Sequence, residues 1–376
     1  MKIGIYTQPL RFNYGGLLQN WALQTVLQRM GYDVVTIDPS PYIALPCWKK
    51  PFSYMKRVLM KLTGQPSVLY RERELNAAYD IKIRNLRPFI AANIKRREFI
   101  RISDLRQDEF DVLLAGSDQV WRPRYNRTYG RTIENAFFDF AKCWNVKRVA
   151  YAASFGTDDW EYTKEQTRHC AQLAKVFSSI SVREMSAVKL CKEYLGVDAV
   201  HVLDPTLLLE CIDYEKLIEG GLPTKKPNGN LLCYFLDERT DADELIERIA
   251  HEKKLIPFKA NSRVEEKNAE LEEKIQPPVE QWLRNFKEAE FVVTDSFHAC
   301  VFSIIFEKPF IVLGNSKRGM ARYESLLSVF HLTDNLIQSV SEYNSEKTYA
   351  ISLESMDLLA DMRSASMDFL RKSIEE

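Results

Sequence analysis

An α/β fold in two domains, each built on parallel strands and facing the other across a central cleft, is what this 376-residue chain predicts. Three observations carry that prediction. The chain opens strand, helix, strand with tight connections, a βαβ unit whose crossover is right-handed. The rhythm pauses at the turn-rich, basic stretch Gly220-Gly-Leu-Pro-Thr-Lys-Lys-Pro-Asn-Gly229 and then resumes, so that stretch reads as a linker. Nearly every apolar strand also runs into a short cluster of Gly, Ser, Asp or Asn, and open α/β sheets bind ligands at the carboxyl ends of their strands.

The elements follow in order. Lys2 to Thr7 is an apolar strand, Gln8 to Gly16 a loop, and Leu17 to Met30 a helix with a broad apolar stripe that includes Leu17, Trp21, Leu23, Val26 and Leu27. Gly31 ends that helix, and Asp33 to Asp38 is the next strand, closed by Pro39. The segment from about 40 to 105 breaks the rhythm as a basic helical insertion. Between Lys49 and Arg101 lie fourteen Lys and Arg against four acids, a local excess of ten positive charges. Phe52 to Leu62 has the spacing of a short amphipathic helix, and a second helical stretch covers roughly 67 to 93. Two readings apply: a solvated basic face, or a platform for an acidic ligand or an anionic membrane surface.

Strands resume at Phe110 to Ala115, Lys147 to Ser154, Phe177 to Val182 and Ala199 to Leu203, with helices near 162–175 and 184–195. These complete a first domain over 1–219. The second, over 230–351, has strands at Leu231 to Leu236, near Leu255 to Lys259, from Phe291 and at Pro309 to Leu313, with helices at Asp241 to His251 and about 278 to 288. Residues 352–376 read as one or two helices packing back on the first domain.

Composition narrows the function. Charge is balanced, with 52 basic and 52 acidic residues, which gives no electrostatic argument for a nucleic-acid partner. The seven cysteines form no C-x-x-C pair and read as reduced thiols. No histidine pair or carboxylate cluster has metal-ligand spacing, so no metal is expected. Gly15-Gly16 at a helix start lets backbone amides approach an anion, yet neither a G-x-G-x-x-G nor a Walker A pattern is present. The start, Met1-Lys-Ile-Gly-Ile5, reads as a strand rather than a signal peptide, and no apolar run is long enough to span a bilayer. A cytoplasmic protein is expected, free or held peripherally at the inner face of the membrane.

His298 is the sharpest candidate. It follows the strand beginning at Phe291 and falls in the first turn of a helix that Ser296 caps, where unpaired N–H groups favour anions. Polar clusters at the other strand ends are Asn13-Tyr-Gly-Gly16, Gly116-Ser-Asp-Gln119, Ser154-Phe-Gly156, Arg183-Glu184 and Asp204. Arg318 and Arg322, in and after the loop beginning Gly314-Asn-Ser-Lys317, are guanidiniums suited to a carboxylate or phosphate.

Several of these stretches are familiar together. Asn13-Tyr-Gly-Gly-Leu-Leu-Gln-Asn20, Ala115-Gly-Ser-Asp-Gln-Val-Trp121, Tyr151-Ala-Ala-Ser-Phe-Gly156, Ser181-Val-Arg-Glu184, Asp204-Pro-Thr206 and Thr294-Asp-Ser-Phe-His298 with Lys308-Pro-Phe310 resemble the polysaccharide pyruvyl transferases, in family order over about 1 to 330. The resemblance implies two Rossmann-like domains in a GT-B-like arrangement. It also implies transfer of pyruvate from phosphoenolpyruvate to two sugar hydroxyls as a cyclic ketal, with release of phosphate and without metal or nicotinamide cofactor. Family members hold the donor with an Arg-Leu-His triplet and a first-domain arginine. The triplet aligns with Ser296-Phe297-His298, so only its histidine is kept, and the first-domain arginine falls on Arg183. Arg318, Arg322 or Lys317 is then expected to supply the missing charge. His298 is expected to hold the donor phosphate or act as the acid, and Asp118 to orient or deprotonate a sugar hydroxyl. Asn13, Tyr14, Gly15, Gly16, Gln19, Ser117, Gln119 and Asp204 are expected along the acceptor side of the cleft. The implied acceptor is a surface-polysaccharide precursor, free or lipid-linked. A GT-B glycosyltransferase and a nonenzymatic glycan-binding protein are the alternative readings.

Overall fold

The computed structural model describes residues 1–126, 131–237, 239–260, 262–264, 268–315 and 319–376, and it has the predicted two-domain α/β architecture. Among these residues the first sheet holds β1 (Lys2–Tyr6), β2 (Asp33–Pro39), β3 (Arg96–Phe99), β4 (Val112–Ala115), β5 (Lys147–Ala153), β6 (Ser179–Val182) and β7 (Val200–His201). They are parallel in the order β3-β2-β1-β4-β5-β6-β7. The second sheet holds β8 (Leu231–Tyr234), β9 (Pro257–Lys259), β10 (Phe291–Thr294), β11 (Phe310–Leu313) and β12 (Leu336–Ile337), parallel in the order β12-β11-β10-β8-β9. Strand order reverses direction between β1 and β4 in one sheet and between β8 and β10 in the other. Each reversal opens a crevice above the sheet, where a ligand fits.

The helices are α1 (Tyr14–Arg29), α2 (Lys50–Leu62), α3 (Arg71–Lys82), α4 (Arg87–Asn93), α5 (Lys164–Ala174), α6 (Met185–Leu190), α7 (Cys211–Gly220), α8 (Thr240–Lys253), α9 (Val279–Glu288), α10 (Phe297–Ile305), α11 (Ala321–Val329) and α12 (Leu353–Glu375). The central strands are apolar on both faces because helices cover both; all four residues of β4, β8, β10 and β11 are buried.

Three apolar layers result. One lies beneath β4, β5 and the aromatic residues Trp121, Phe137 and Phe138, and another backs the second sheet around Leu245, Val293 and Leu313. The third lies between the domains and is shared by both, joining Leu17 and Leu23 of α1 to Leu283 of α9, Phe302 of α10 and Leu370 of α12. Aromatic rings run through it in sequence. Trp21 meets Tyr214 at 5.4 Å, Tyr214 meets Phe302 at 5.0 Å, Phe302 meets Trp282 at 5.0 Å, and Trp282 stacks on Tyr14 at 5.2 Å. The terminal segment is one helix, α12. Arg363 Nε donates to the Leu207 carbonyl at 2.8 Å, and Lys147 Nζ donates to that of Ile374 at 2.9 Å. No helix among the described residues is long and apolar enough to cross a membrane.

Candidate functional site

Each switch point delivers side chains to the same place. Beyond β1, Asn13 caps α1 by accepting from the Gly16 N–H at 3.2 Å, so the helix starts at Tyr14 rather than Leu17. Beyond β4, the chain turns through Gly116, where an added Cβ would lie 1.9 Å from the Tyr151 carbonyl oxygen, and reaches Asp118 in the left-handed region at φ 59°. That conformation is uncommon outside glycine and Asn or Asp. The Asp118 carbonyl holds it there by accepting from Ser154 N at 3.1 Å. Beyond β5 and β6, buried Glu184 ties two loops together, its Oε1 accepting from Ser154 Oγ at 2.9 Å, Phe155 N at 3.0 Å and Gly156 N at 3.1 Å.

From the other domain, Ser296 caps α10 through Ala299 N, and His298 projects across the domain boundary. Its ring lies so close to α1 that a Cβ on Gly15 would sit 2.0 Å from Nδ1. On the opposite side, His298 Nε2 is 3.8 Å from Asp204 Oδ2 and has no hydrogen-bond partner among the described residues. Burial pushes the imidazole pKa down; the Asp204 and Asp118 carboxylates pull upward against it, and Arg183 and Arg322 add to the depression. The net shift is downward, so His298 is uncharged at neutral pH.

Behind the histidine lies a closed charge cluster. Arg183 Nη1 donates to Asp204 Oδ2 at 2.8 Å, Nη2 reaches Asp118 Oδ1 at 3.5 Å, and Nε is 4.0 Å from Glu184 Oε2. Burial opposes the charge on Arg183, yet these carboxylates raise its pKa overall. Burial likewise opposes ionisation of Asp204, but Arg183 and His298 outweigh it and hold the carboxyl below its ordinary range. The Arg183 guanidinium is 4.6 Å from the centre of the Phe297 ring, and that of Arg322 is 5.5 Å from it. Phe297 thus gives both cations an aromatic neighbour.

In front of His298 is a cavity of about 590 Å³ bounded by both domains. Of the residues expected from sequence, Asn13, Gly15, Gly16, Asp118, Gln119, Ser296, His298 and Arg322 are on its wall. Five are not. Arg183 is spent on carboxylates behind Phe297, and Asp204 is buried with it. Tyr14 turns instead to the domain boundary, its hydroxyl donating to the Pro277 carbonyl at 2.7 Å. Gln19 is an internal brace, donating to Thr7 Oγ1 at 3.1 Å and accepting from Ser117 N at 3.2 Å. Ser117 Oγ donates to the Ala152 carbonyl at 2.9 Å and does not face the cavity. Arg318 and Lys317 lie outside the described residues.

Sequence reasoning missed Arg11, Arg124, Tyr125, Tyr234 and Trp282, all on the wall. Arg124 is exposed, has no ion pair among the described residues, and lies 5.1 Å from the Tyr125 ring. Arg11 leans on Asp38, with Nη1 3.5 Å from Oδ1. The cavity therefore combines cations from both domains, a neutral imidazole and the carboxylate of Asp118. That set can bind a polyanion and move protons beside it. Among the described residues no group of His, Cys, Asp and Glu is arranged to hold a metal ion.

Two doubly wound domains that face each other across such a cleft define a GT-B-like fold. The family model for polysaccharide pyruvyl transferase matches residues 13–317. The chain belongs to that family and is a transferase. A comparison with curated proteins gave no match. Among solved structures, UDP-GlcNAc 2-epimerase from Neisseria meningitidis bound to UDP-GlcNAc is similar at TM-score 0.49 and 11% identity, covering 99% of this chain and 100% of that one. The S. aureus MnaA–UDP co-structure is similar at 0.47 and 12% identity over 91% and 86%. Arabidopsis thaliana UGT89C1 is similar at 0.46 and 8% identity over 99% and 94%.

Proposed function

We propose that this transferase moves pyruvate from phosphoenolpyruvate onto two hydroxyls of a glycan, as a cyclic ketal. The observation that carries the reading is His298, an uncharged imidazole on the wall of a cavity that also presents Arg322, Arg11 and Arg124. The guanidiniums suit the donor's carboxylate and phosphate, and Arg322 with Arg124 stands in for the triplet arginine that Ser296 lacks. Arg183 supports the donor site from behind, by fixing Asp204 and Asp118.

The chemistry balances without a further reactant. Protonation of the donor's methylene carbon makes its neighbour electrophilic, one sugar hydroxyl adds there, the carbon–phosphate oxygen bond breaks, and the second hydroxyl closes the ring. The two hydroxyl protons end on the new methyl group and on phosphate. Asp118 accepts a hydroxyl proton, and His298, which takes up a proton when the polyanionic donor binds beside it, delivers that proton on the donor side. The acceptor is a surface-polysaccharide precursor, and the enzyme works in the cytoplasm at the inner membrane face.

The test is phosphate release from phosphoenolpyruvate over a panel of glycan acceptors, with a mass gain on the glycan. Release that needs both substrates and disappears in His298→Ala supports the reading. A gain of hexose mass from a nucleotide sugar, with no response to phosphoenolpyruvate, would replace it with glycosyl transfer.

A further inference from the structure

The insertion between β2 and β3 carries a helix that faces the wrong way for an ordinary surface helix. No residue of α2 is buried. Phe52, Met55, Leu59 and Leu62 recur at three- and four-residue spacing and so form one stripe, and that stripe points outward. Phe52 is 68% exposed and Leu62 78%, and Trp48, in the turn before the helix, is 68% exposed. What anchors α2 to the protein is its other side, where Tyr54 meets the Tyr70 ring edge-on at 5.6 Å and polar groups pair. Arg57 Nη1 donates to Glu72 Oε2 at 2.7 Å and to the Leu69 carbonyl at 2.9 Å, and Ser67 Oγ donates to the Arg57 carbonyl at 2.7 Å. Hydrogen bonding to Arg57 holds the Glu72 carboxyl down at about 2, so the tether stays charged throughout the physiological range.

Lys56 borders the stripe, Lys49, Lys50 and Lys61 are exposed on the same segment, and no acid occurs between Asp38 and Glu72. Lys49 Nζ lies 4.8 Å from the Trp48 ring, a pairing of tryptophan and lysine suited to a headgroup layer. The charge pattern selects the occupant. A second copy docking stripe to stripe would bring lysines against lysines, whereas an anionic bilayer surface matches both the apolar stripe and its basic margin.

We infer that α2 with Trp48 seats the protein on an anionic phospholipid surface, with the apolar stripe in the headgroup boundary and the lysines on lipid phosphates. The insertion adjoins the cavity. Tyr79 of α3 packs on Phe12 at 5.6 Å and under the Arg11 guanidinium at 5.8 Å, and Asn85 Nδ2 donates to the Gln276 carbonyl at 2.9 Å across the domain boundary. A protein seated this way holds the cleft close to the membrane, where a lipid-linked glycan would be met. That consequence rests on the function proposed above; the docking itself rests on α2.

The experiment is co-sedimentation of the full chain with vesicles of phosphatidylcholine alone and of equimolar phosphatidylcholine and phosphatidylglycerol, alongside Phe52→Ser/Leu59→Ser and Lys56→Gln/Lys61→Gln variants. Binding should favour the anionic vesicles, fall by roughly tenfold or more in each double variant, and weaken with added salt. Trp48 fluorescence should shift to the blue on binding. Turnover with a soluble acceptor should be unchanged in both variants, which separates failure of docking from failure of the proposed reaction. Equal sedimentation with both vesicle types, or full binding by the Phe52→Ser/Leu59→Ser variant, would overturn the inference. A dimer in light scattering that this variant abolishes would assign the stripe to a second copy instead.

Discussion

The His298 imidazole is uncharged in the resting site because burial outweighs the carboxylates beside it. The sign of the consequence follows from linkage. A folded pKa below the unfolded value of 6.5 means that the unfolded chain binds the proton first. Stability is therefore full above that pH and declines as pH falls below it. A bound polyanion acts in the opposite sense, raising the histidine's pKa and drawing in a proton. Calorimetric titration of phosphoenolpyruvate in buffers of different ionisation enthalpy should show net proton uptake near neutral pH. His298→Gln should show less, and that difference separates the imidazole from the donor's own phosphate. Equal uptake in both proteins would remove His298 from the donor site. Asp118→Asn tests the other side of the cavity. Asparagine also accepts a left-handed backbone, so the fold should persist while turnover drops by roughly 10²–10⁴-fold. Turnover close to native would exclude Asp118 as the base. Both residues were legible because each directly follows an apolar strand. The neutralisation of Arg183 was not, since its partners Asp204 and Asp118 lie 21 and 65 positions away. Arg11 and Arg124 sit in irregular loops, where a lone arginine carries no pattern.

At the scale of elements, a strand or helix was readable wherever an apolar period ran long enough. β3 was missed because Arg96-Arg97-Glu98-Phe99 has no apolar run; its ladder with Thr36 to Pro39 comes from the neighbouring strand. β12, with two residues, is too short to show a period, and α7 and α11 carry weak stripes beside turn-forming sequence. The N-terminus of α1 makes the floor under the His298 ring, with Gly15 directly beneath it. Alanine is a better helix former than glycine by about 1 kcal/mol, so Gly15→Ala should help α1 in isolation. In the folded protein its Cβ would meet Nδ1 at 2.0 Å, and the ring or the domains must shift. Overpacking of this kind costs about 1–3 kcal/mol, while a displacement near 1 Å costs on the order of 10²-fold in rate. The variant should fold, with a modest change in denaturant midpoint, and lose most of its turnover. Native turnover would show that the ring's position against α1 does not matter to the reaction.

For the whole molecule, the decisive feature is that the domains share an apolar layer. Domains joined by small polar contacts move and melt separately, and a large hydrophobic boundary prevents both. Here the boundary contains the ring series from Trp21 through Tyr214, Phe302 and Trp282 to Tyr14, and α12 adds Leu359, Leu370 and Ile374 from the end of the chain. The same helix supports the site, because Ser366 Oγ accepts from Leu203 N at 3.0 Å, next to Asp204. The pairing of the two sheets could be anticipated from sequence, but this layer could not, since its rings belong to helices far apart in the chain. The expected behaviour is one cooperative thermal transition, with calorimetry and circular dichroism coincident. Phe302 is the position to test, being fully buried, central to the series and off the cavity wall. Phe302→Ala should cost about 3–5 kcal/mol, move the single transition as a unit, and leave no half of the protein at native stability. Two resolved transitions, with only the second domain's displaced, would mean that the halves fold independently. His298 would then owe its place against Gly15 to local contacts rather than to the shared core.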